Sequence, residues 1–511
     1  MNIMSNIVVA GAGTTGWLTA LYAQRVWPTS KITLIYDDKI PIIGVGESTT
    51  PNFLDFTENW LDINTGDLVK ECEATLKLGI KFTNWKGDNS HYYHTFTINS
   101  TDLCFSALSK GFHLDEVDLG AKLSEMNKIP FQNNGTEKIS GGDEKRNVNI
   151  ALHFNAKLMA EYLQKIGIER GISIAVGRIE DVKLDKDQYV SEIILDTKDR
   201  IQAGFVFDCT GFGRVFINGV YKSPMNSYEK ILPVKRAMPF FIDKNDETPP
   251  YTECTAMKYG WMWKIPVGKR FGCGYVFDSD LTTDEEAYQE ICQVTGQKPT
   301  VTRKINFKSG YHPNPLNKNT LALGLAHGFL EPLEATSIMI TIDMLHLIRQ
   351  IIPEQSLIKR IKRDDFAKDY NRVVDRIVTN CRDFVFLHYL TSRNDTKFWK
   401  RFNDQPYPKT LSKILNLLED YDVCKPNELR SDSFGPFNRR SFVQCLSGVD
   451  RISENLSKRN SHEYTVSEVY KMKIKGDYTV KRSMLHDEVL NELPNHPEWK
   501  LANNAFLRLD R

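Results

Sequence analysis

The sequence lacks an excess of charge of either sign. Its 511 residues include 66 Lys and Arg against 65 Asp and Glu, a formal net charge of +1. Proteins that hold nucleic acid by general electrostatics carry a marked positive excess, so no nucleic-acid partner is expected. With 41% hydrophobic and 26% charged residues, the composition is globular and excludes wholesale disorder and fibrous repeats.

Paired cysteines and long hydrophobic runs are also missing. The nine cysteines are dispersed, and no two have C-x-x-C spacing, a pattern that predicts reduced thiols, no metal site and a cytoplasmic protein. No apolar run approaches the roughly 18 residues of a membrane span. The best, residues 338–348, is broken by Asp343 and His346. We therefore expect neither a membrane partner nor a secretory signal.

A βαβ pattern opens the chain. Residues 6–10 (NIVVA) form a β-branched run, residues 15–27 carry apolar side chains at helical spacing, and residues 31–36 (KITLIY) predict a second strand. Further along, the pattern predicts strands at 193–195 and 205–208, sheet through 259–276, a helix over 151–166, an exposed loop over 133–146, and mainly helix after about residue 337.

Residues 11–16 read GAGTTG, the G-x-G-x-x-G fingerprint between a strand and a helix. Gly11 permits the tight turn, Gly13 lets backbone N–H groups approach a pyrophosphate, and Gly16 allows close strand–helix packing. Asp37, at the end of the second strand, is placed to bind a ribose hydroxyl. The chain has no second full fingerprint, which favours one resident FAD over a nicotinamide. The predicted contacts at the turn are Gly11, Ala12, Gly13, Thr14, Thr15 and Gly16.

Two later glycine turns support FAD. Residues 205–214 (FVFDCTGFGR) run through Asp208 into one turn, and residues 321–332 (LALGLAHGFLEP) contain another, with Leu325 inside it. The predicted fold is α/β, with a Rossmann-like FAD-binding body of the flavin-monooxygenase type, an inserted antiparallel sheet and a mainly helical C-terminal substrate-binding portion. We place the body at residues 1–340 and the helical portion at residues 341–511.

Two motifs make a resemblance specific. Residues 44–51 read GVGESTTP and residues 261–266 read WMWKIP. Together with the fingerprint running into Trp17, they are similar to the G-x-G-E-[AS]-T-x-P and W-x-W-x-I-P motifs of the flavin-dependent halogenases of the tryptophan-halogenase type. The resemblance includes residues 329–338 (FLEPLEATSI) and covers nearly the whole chain, with the C-terminal part matching poorly.

The resemblance implies a reaction. FADH2 from a separate flavin reductase reacts with O2 to give a flavin hydroperoxide, and a halide ion converts this to hypohalous acid. The acid crosses a tunnel to Lys77, which captures or hydrogen-bonds it. Glu334 then assists electrophilic substitution on an aromatic substrate. An ammonium at Lys77 would polarise the halogen, whereas a neutral amine would form a haloamine, and the sequence leaves both open.

Other sites follow from the same resemblance. Backbone N–H groups of Thr336 and Ser337 would hold the halide at a helix start. The family run there is E-S-T-G, and this chain has Glu334-Ala335-Thr336-Ser337, so a preference for bromide or iodide over chloride is plausible. The further residues implied near FAD are Gly46, Glu47, Ser48, Asp208, Leu325 and Ile338.

Aromatic residues suggest how substrate is handled. Trp261 and Trp263, in the strand that ends at Pro266, would lie near the flavin and keep substrate away from it, or would simply fill the core. His94 and Phe96 match indole-pocket positions, although both also suit a core strand. The segment expected to clamp free tryptophan, residues 434–446, has no tryptophan. We therefore predict an electron-rich aromatic substrate, namely an indole, a phenol or a related heteroarene, and the sequence leaves open whether free tryptophan is accepted.

Two other functions remain open at this point. A flavin-dependent monooxygenase would hydroxylate a similar arene, but Lys77 and the W-x-W-x-I-P strand favour halogenation. A non-catalytic flavin-binding scaffold would have no use for Lys77 and Glu334. A homo-oligomer is possible.

Overall fold

The computed structural model describes residues 6–40, 46–97, 101–131, 148–244, 247–351, 364–419, 435–459, 464–497 and 501–502. The loop predicted at 133–146 lies outside this part. The helices are α1 Thr14–Val26, α2 Asn52–Asp55, α3 Thr65–Cys72, α4 Thr101–Ser109, α5 Leu114–Val117, α6 Leu119–Glu125, α7 Ala156–Glu169, α8 Asp284–Thr295, α9 Thr336–Ile351, α10 Asp364–His388, α11 Lys397–Asp404, α12 Lys409–Glu419, α13 Arg439–Gly448, α14 Glu454–Arg459, α15 Val466–Arg482 and α16 His486–Glu492.

The strands belong to several sheets. They are β1 Asn6–Ala10, β2 Lys31–Tyr36, β3 Glu47–Ser48, β4 Thr75–Lys77, β5 Gly79–Thr83, β6 His91–Thr95, β7 Lys128–Ile129, β8 Ala151–Phe154, β9 Ser173–Val176, β10 Ile179–Leu184, β11 Val190–Leu195, β12 Arg200–Gln202, β13 Phe205–Asp208, β14 Asn226–Ser227, β15 Arg236–Asp243, β16 Tyr251–Ala256, β17 Gly260–Val267, β18 Arg270–Phe277, β19 Ile305–Asn306, β20 Gly310–Tyr311, β21 Leu316–Asn317, β22 Thr320–Ala322, β23 Gly328–Phe329 and β24 Met484–Leu485.

A six-stranded sheet in the order β21-β22-β13-β1-β2-β9 forms the nucleotide-binding body. β1 pairs in parallel with β2 and β13, and β13 pairs in parallel with β22. Residues 7–10 are buried, as expected for a parallel strand covered on both faces. The predicted strands at 6–10, 31–36 and 205–208 are confirmed, and so is the helix that follows the fingerprint.

A seven-stranded sheet in the order β19-β15-β18-β17-β16-β5-β6 forms the inserted layer. Its neighbouring strands are antiparallel except β16 and β5, which pair in parallel. The sheet predicted through 259–276 is therefore confirmed as the hairpin of β17 and β18. β5 and β6 bring an earlier part of the chain against it.

A small three-stranded sheet in the order β3-β8-β4 connects the two layers. β8 pairs with β3 on one side and with β4 on the other. The helix predicted over 151–166 is wrong in its first part, because residues 151–154 pair as a strand and the helix begins only at Ala156. Asn155 caps that helix by accepting hydrogen bonds from the N–H groups of Lys157 and Leu158.

The chain after residue 337 is mainly helical, as predicted. Helix α13 packs on β6 and α4, and α10 packs on α9 and α13. The division proposed at residue 340 falls within α9. Among the described residues, no helix combines the length and apolar character that crossing a membrane would need.

Candidate active site

A cavity of about 850 Å³ opens at the carboxyl ends of β1 and β2, a volume suited to a cofactor. Gly11 has a φ of 113°, and a Cβ there would lie 2.2 Å from the carbonyl oxygen of Cys209. A Cβ at Gly13 would meet nothing within 4 Å, so the backbone at this residue is open to a ligand. The turn and the N-terminus of α1 therefore fit the pyrophosphate of a dinucleotide.

Most residues predicted to contact FAD line this cavity. Gly16 is instead a packing residue, because a Cβ there would lie 1.8 Å from the carbonyl oxygen of Gly11. Burial raises the pKa of Glu47, on the cavity wall, to about 7. The predicted residues in the lining are Gly11, Ala12, Gly13, Thr14, Thr15, Asp37, Gly46, Glu47, Ser48, Leu325 and Ile338.

Asp208 does not line the cavity, in contrast to its predicted contact with FAD. It is fully buried, and one of its oxygens accepts hydrogen bonds from the N–H groups of Phe216 and Ile217 at 3.0 and 2.9 Å. The other accepts from the N–H and hydroxyl groups of Thr210. The carboxylate therefore fixes the loop after β13, and residues 209–213 of this loop line the cavity.

Lys77 ends strand β4 and is completely buried. Its Nζ donates a hydrogen bond to the carbonyl oxygen of Thr49 at 2.8 Å and lies 5.1 Å from the centre of the Phe96 ring. Burial lowers the pKa of Lys77 to about 8, while nearby Glu334 opposes this shift. The lysine is therefore held as a desolvated group that exchanges its proton close to neutral pH.

Glu334 is buried between two histidines. His94 Nδ1 lies 2.9 Å from Oε2, and His388 Nε2 lies 3.0 Å from Oε1 without the alignment of a hydrogen bond. Burial alone would raise the pKa of Glu334, but the two histidines hold it well below its usual range. Tyr92 continues the network, with its hydroxyl 3.1 Å from His388 Nδ1.

His94 and Phe96 are thus brought to the predicted catalytic pair. His94 contacts Glu334, and Phe96 contacts Lys77. His94, Glu334 and Cys445 also place one possible metal-ligand atom each within 4.8 Å of one another. Since His94 Nδ1 already contacts the carboxylate at 2.9 Å, we interpret this group as a hydrogen-bonded pair beside a cysteine.

The backbone beside Glu334 adopts an unusual conformation. Glu334 has a φ of 65° and Ala335 a φ of 54°, left-handed values that cost a non-glycine residue roughly 1 kcal/mol or more. Such residues at a helix start arrange backbone N–H groups as an anion-binding nest. Thr336 and Ser337 follow, and both line the cavity. Ser337 is helical, so the glycine that the family has there is not needed for a left-handed backbone.

The two tryptophans of β17 both line the cavity, with ring centres 6.3 Å apart. The Trp261 ring is fully buried, and its Nε1 donates to Glu331 at 3.2 Å. The Trp263 ring covers Gly274, where a Cβ would lie 2.1 Å from the ring. Pro266 is outside the lining and contributes its carbonyl oxygen to Thr75 Oγ1 at 2.9 Å.

Arg440 belongs to a buried ion pair. It lies 2.8 Å from Asp118 and donates to the carbonyl oxygen of Thr95 at 3.1 Å. This arginine therefore stabilises the junction of α13 with β6 and is not presented to a substrate carboxylate.

Sequence reasoning missed His388, Tyr92 and Glu331. No local pattern in the sequence shows that these polar residues are buried near the predicted catalytic pair.

Comparison with known proteins decides the family. The tryptophan halogenase family matches residues 6–463. The chain belongs to this family. It is 30% identical over 440 residues to tryptophan 6-halogenase SttH of Streptomyces toxytricini, covering 80% of this chain and 82% of the relative. It is 29% identical over 425 residues to tryptophan 7-halogenase RebH of Lentzea aerocolonigenes, covering 78% of each protein.

The fold agrees. Xcc4156, a flavin-dependent halogenase from Xanthomonas campestris, superposes with a TM-score of 0.82 at 25% identity, covering 96% of this chain and 98% of the other. The protein is a flavin-dependent halogenase, an oxidoreductase that acts on aromatic carbon. Membership implies FAD as the cofactor and a separate flavin reductase as its source of reducing equivalents.

Proposed function

We propose that the protein halogenates an electron-rich arene other than free tryptophan, using hypohalous acid delivered to Lys77. The observation that carries the proposal is the burial of Lys77 beside Glu334, next to a cavity that fits FAD. Glu334 is at once a cavity-lining residue and a neighbour of Lys77, so it marks the boundary between flavin and substrate sides.

The chain's residues have distinct tasks in this proposal. FAD held in the cavity would, once reduced, activate O2, and the activated oxygen would oxidise halide to hypohalous acid. The nest at residues 334–337 holds the halide. Lys77 donates a hydrogen bond to the oxygen of hypohalous acid, which polarises the oxygen–halogen bond. The arene attacks the halogen, the oxygen–halogen bond breaks, and the oxygen leaves as water with a proton from the Lys77 ammonium.

Glu334 receives the proton that the arene loses. The two histidines beside Glu334 keep this carboxylate ionised, and an ionised carboxylate can accept the proton of the strongly acidic arenium intermediate. Arg440 is paired with Asp118 and is therefore not available to bind a substrate carboxylate. This pairing supports a substrate that has no carboxylate. The shape of the halide nest, with Ser337 in place of glycine, keeps bromide and iodide as candidates beside chloride. The eight described cysteines are free, which supports a cytoplasmic location.

The test pairs the purified protein with a generic flavin reductase. Indoles, phenols and heteroarenes, with free tryptophan among them, are offered with chloride, bromide or iodide, and products are read by mass. We expect halogenated indole or phenol and little halogenated tryptophan. Oxygen in place of halogen in the product, at excess halide, would show a hydroxylase instead.

A further inference from the structure

Glu331 is a buried carboxyl group for which the mechanism above has no use. It is 1% exposed and lines the cavity. Its Oε1 accepts hydrogen bonds from Trp261 Nε1 at 3.2 Å and from the Tyr389 hydroxyl at 2.7 Å. Its Oε2 has no hydrogen-bond partner among the residues that the structure describes. Among the described residues, one carboxyl oxygen of Glu331 therefore accepts two hydrogen bonds, whereas the other accepts none.

The position of Glu331 is informative. It lies three residues before Glu334, and both line the cavity together with Trp261 and Cys254. The tryptophan is on the flavin-side strand β17, whereas Glu334 faces Lys77. Glu331 thus lies on the cavity wall near Glu334, the lining residue that neighbours Lys77.

The hydrogen bonds indicate where a proton would reside. An indole N–H can only donate, and the Tyr389 hydroxyl donates to the same oxygen. A buried carboxylate with an unsatisfied oxygen would be costly, whereas a carboxylic acid can use that oxygen as a donor.

The electrostatic surroundings agree. Burial raises the pKa of Glu331 to about 8, although Tyr389 and Trp261 oppose the shift. The titratable groups that face it are Tyr389 after α10, Cys254 on β16 and Glu334 on the same loop, with Lys77 beyond them.

We propose that Glu331 is a neutral carboxylic acid whose Oε2 proton hydrogen-bonds the oxygen of hypohalous acid on its way to Lys77. The inference rests on the proposed function and adds a residue that holds the oxidant in passage. Trp261 acts through Glu331 as a positioning residue, because its N–H fixes which carboxyl oxygen accepts and which donates.

The neutral form matters chemically. A carboxylic acid can donate a hydrogen bond to the oxygen from which the halogen departs, whereas a carboxylate can only accept one. No covalent bond to Glu331 forms or breaks in this role.

Infrared difference spectroscopy tests the protonation state without turnover. The spectrum of the wild type minus Glu331→Gln should show the C=O stretch of a protonated carboxyl at about pH 6, replaced by carboxylate bands at about pH 10. Carboxylate bands already at about pH 6 would overturn the proposal, whether or not the enzyme halogenates.

Two tryptophan variants test the positioning role. Trp261→Phe removes a donor that stabilises the ionised form, so the titration midpoint of Glu331 should move to higher pH. Trp263→Phe is the matched control from the same strand and should leave the midpoint unchanged. Equal effects of the two substitutions would count against the role of Trp261.

Turnover measurements test whether Glu331 holds hypohalous acid on its way to Lys77. With a soluble trap for hypohalous acid present, Glu331→Leu should lower halogenated arene per flavin oxidised by roughly 10-fold and raise trapped oxidant correspondingly. Glu331→Gln keeps a neutral donor and should lose about 3-fold or less. If Glu331→Leu forms as much halogenated arene per flavin oxidised as the wild type, the role of Glu331 is wrong, while the proposed function is unaffected. Absence of both halogenated arene and trapped oxidant in the wild type overturns the proposed function as well. If the leucine variant does not fold, the infrared result with Glu331→Gln still decides.

Discussion

His94 Nδ1 lies 2.9 Å from Oε2 of Glu334, and both side chains are buried. The histidine thus holds in place the carboxylate that is predicted to act as a base. His388 Nε2 lies 3.0 Å from the other oxygen, so both oxygens of Glu334 have an imidazole beside them.

Glu334→Gln removes the charge and retains the shape. We expect halogenation to slow by roughly 10- to 100-fold without disappearing, because a base contributes only part of the barrier reduction. Product formation at saturating arene is the measurement. A rate equal to that of the wild type would remove Glu334 from the mechanism.

Lys77→Ala should abolish halogenated product while FAD binding and hypohalous acid formation persist. Lys77 is outside the cavity lining, so its loss leaves the cofactor site intact. Product mass, flavin titration and a hypohalite trap give the three readouts. Lys81→Ala is the matched control, since Lys81 lies on the next strand and pairs with Glu125 at 3.6 Å. Weakened FAD binding in Lys77→Ala would contradict the assignment.

The burial of Lys77 also predicts a pH-dependent stability. Its folded pKa of about 8 lies below its ordinary value, so the unfolded chain binds the extra proton between those values and stability rises with pH there. Lys77→Met should therefore exceed the wild type in unfolding free energy by up to roughly 3 kcal/mol at neutral pH. Chemical denaturation at several pH values checks this. The difference in unfolding free energy between Lys77→Met and the wild type should narrow by about pH 10. A gap independent of pH would mean that the lysine is not desolvated.

Gly13 and Gly16 should respond differently to alanine. Gly13→Ala places a methyl group in open space, so the fold should survive while FAD affinity falls by roughly 10-fold or more, because the pyrophosphate approaches this backbone. Gly16→Ala forces a contact with the carbonyl of Gly11 and should lower the thermal midpoint. Gly219→Ala, outside the cavity lining, is the control for affinity. Unchanged FAD affinity in Gly13→Ala would place the cofactor elsewhere.

Ser337→Gly restores the family residue in the proposed halide nest. We expect the ratio of brominated to chlorinated product, with both halides at equal concentration, to shift toward chloride, because glycine lets the backbone N–H approach a small anion more closely. Mass spectrometry of the mixed product gives the ratio. An unchanged ratio would mean that residue 337 does not set the halide preference.

The sequence by itself determined the local parts of this protein. The β-branched run, the glycine turn and the helix after it are properties of contiguous residues, and they predicted the nucleotide-binding body around Gly11 correctly. The resemblance carried by the W-x-W-x-I-P and G-V-G-E-S-T-T-P motifs indicated the family, which the comparisons confirm. The one misplaced element, the helix over 151–166, failed because apolar residues of a short strand and of a helix look alike until pairing partners are known.

Only the tertiary structure decided which polar side chains meet. Asp208, at a strand end, could as well have faced the cofactor, and the fold turns it toward the amides of its own loop. His388 comes to Glu334 from helix α10, while His94 comes from strand β6. Burial is a property of the assembled layers, and the charges of Lys77, Glu334 and Glu331 depend on it. Desolvation and hydrogen-bond partners from distant parts of the chain set the protonation of these groups, and no local run of residues encodes either effect.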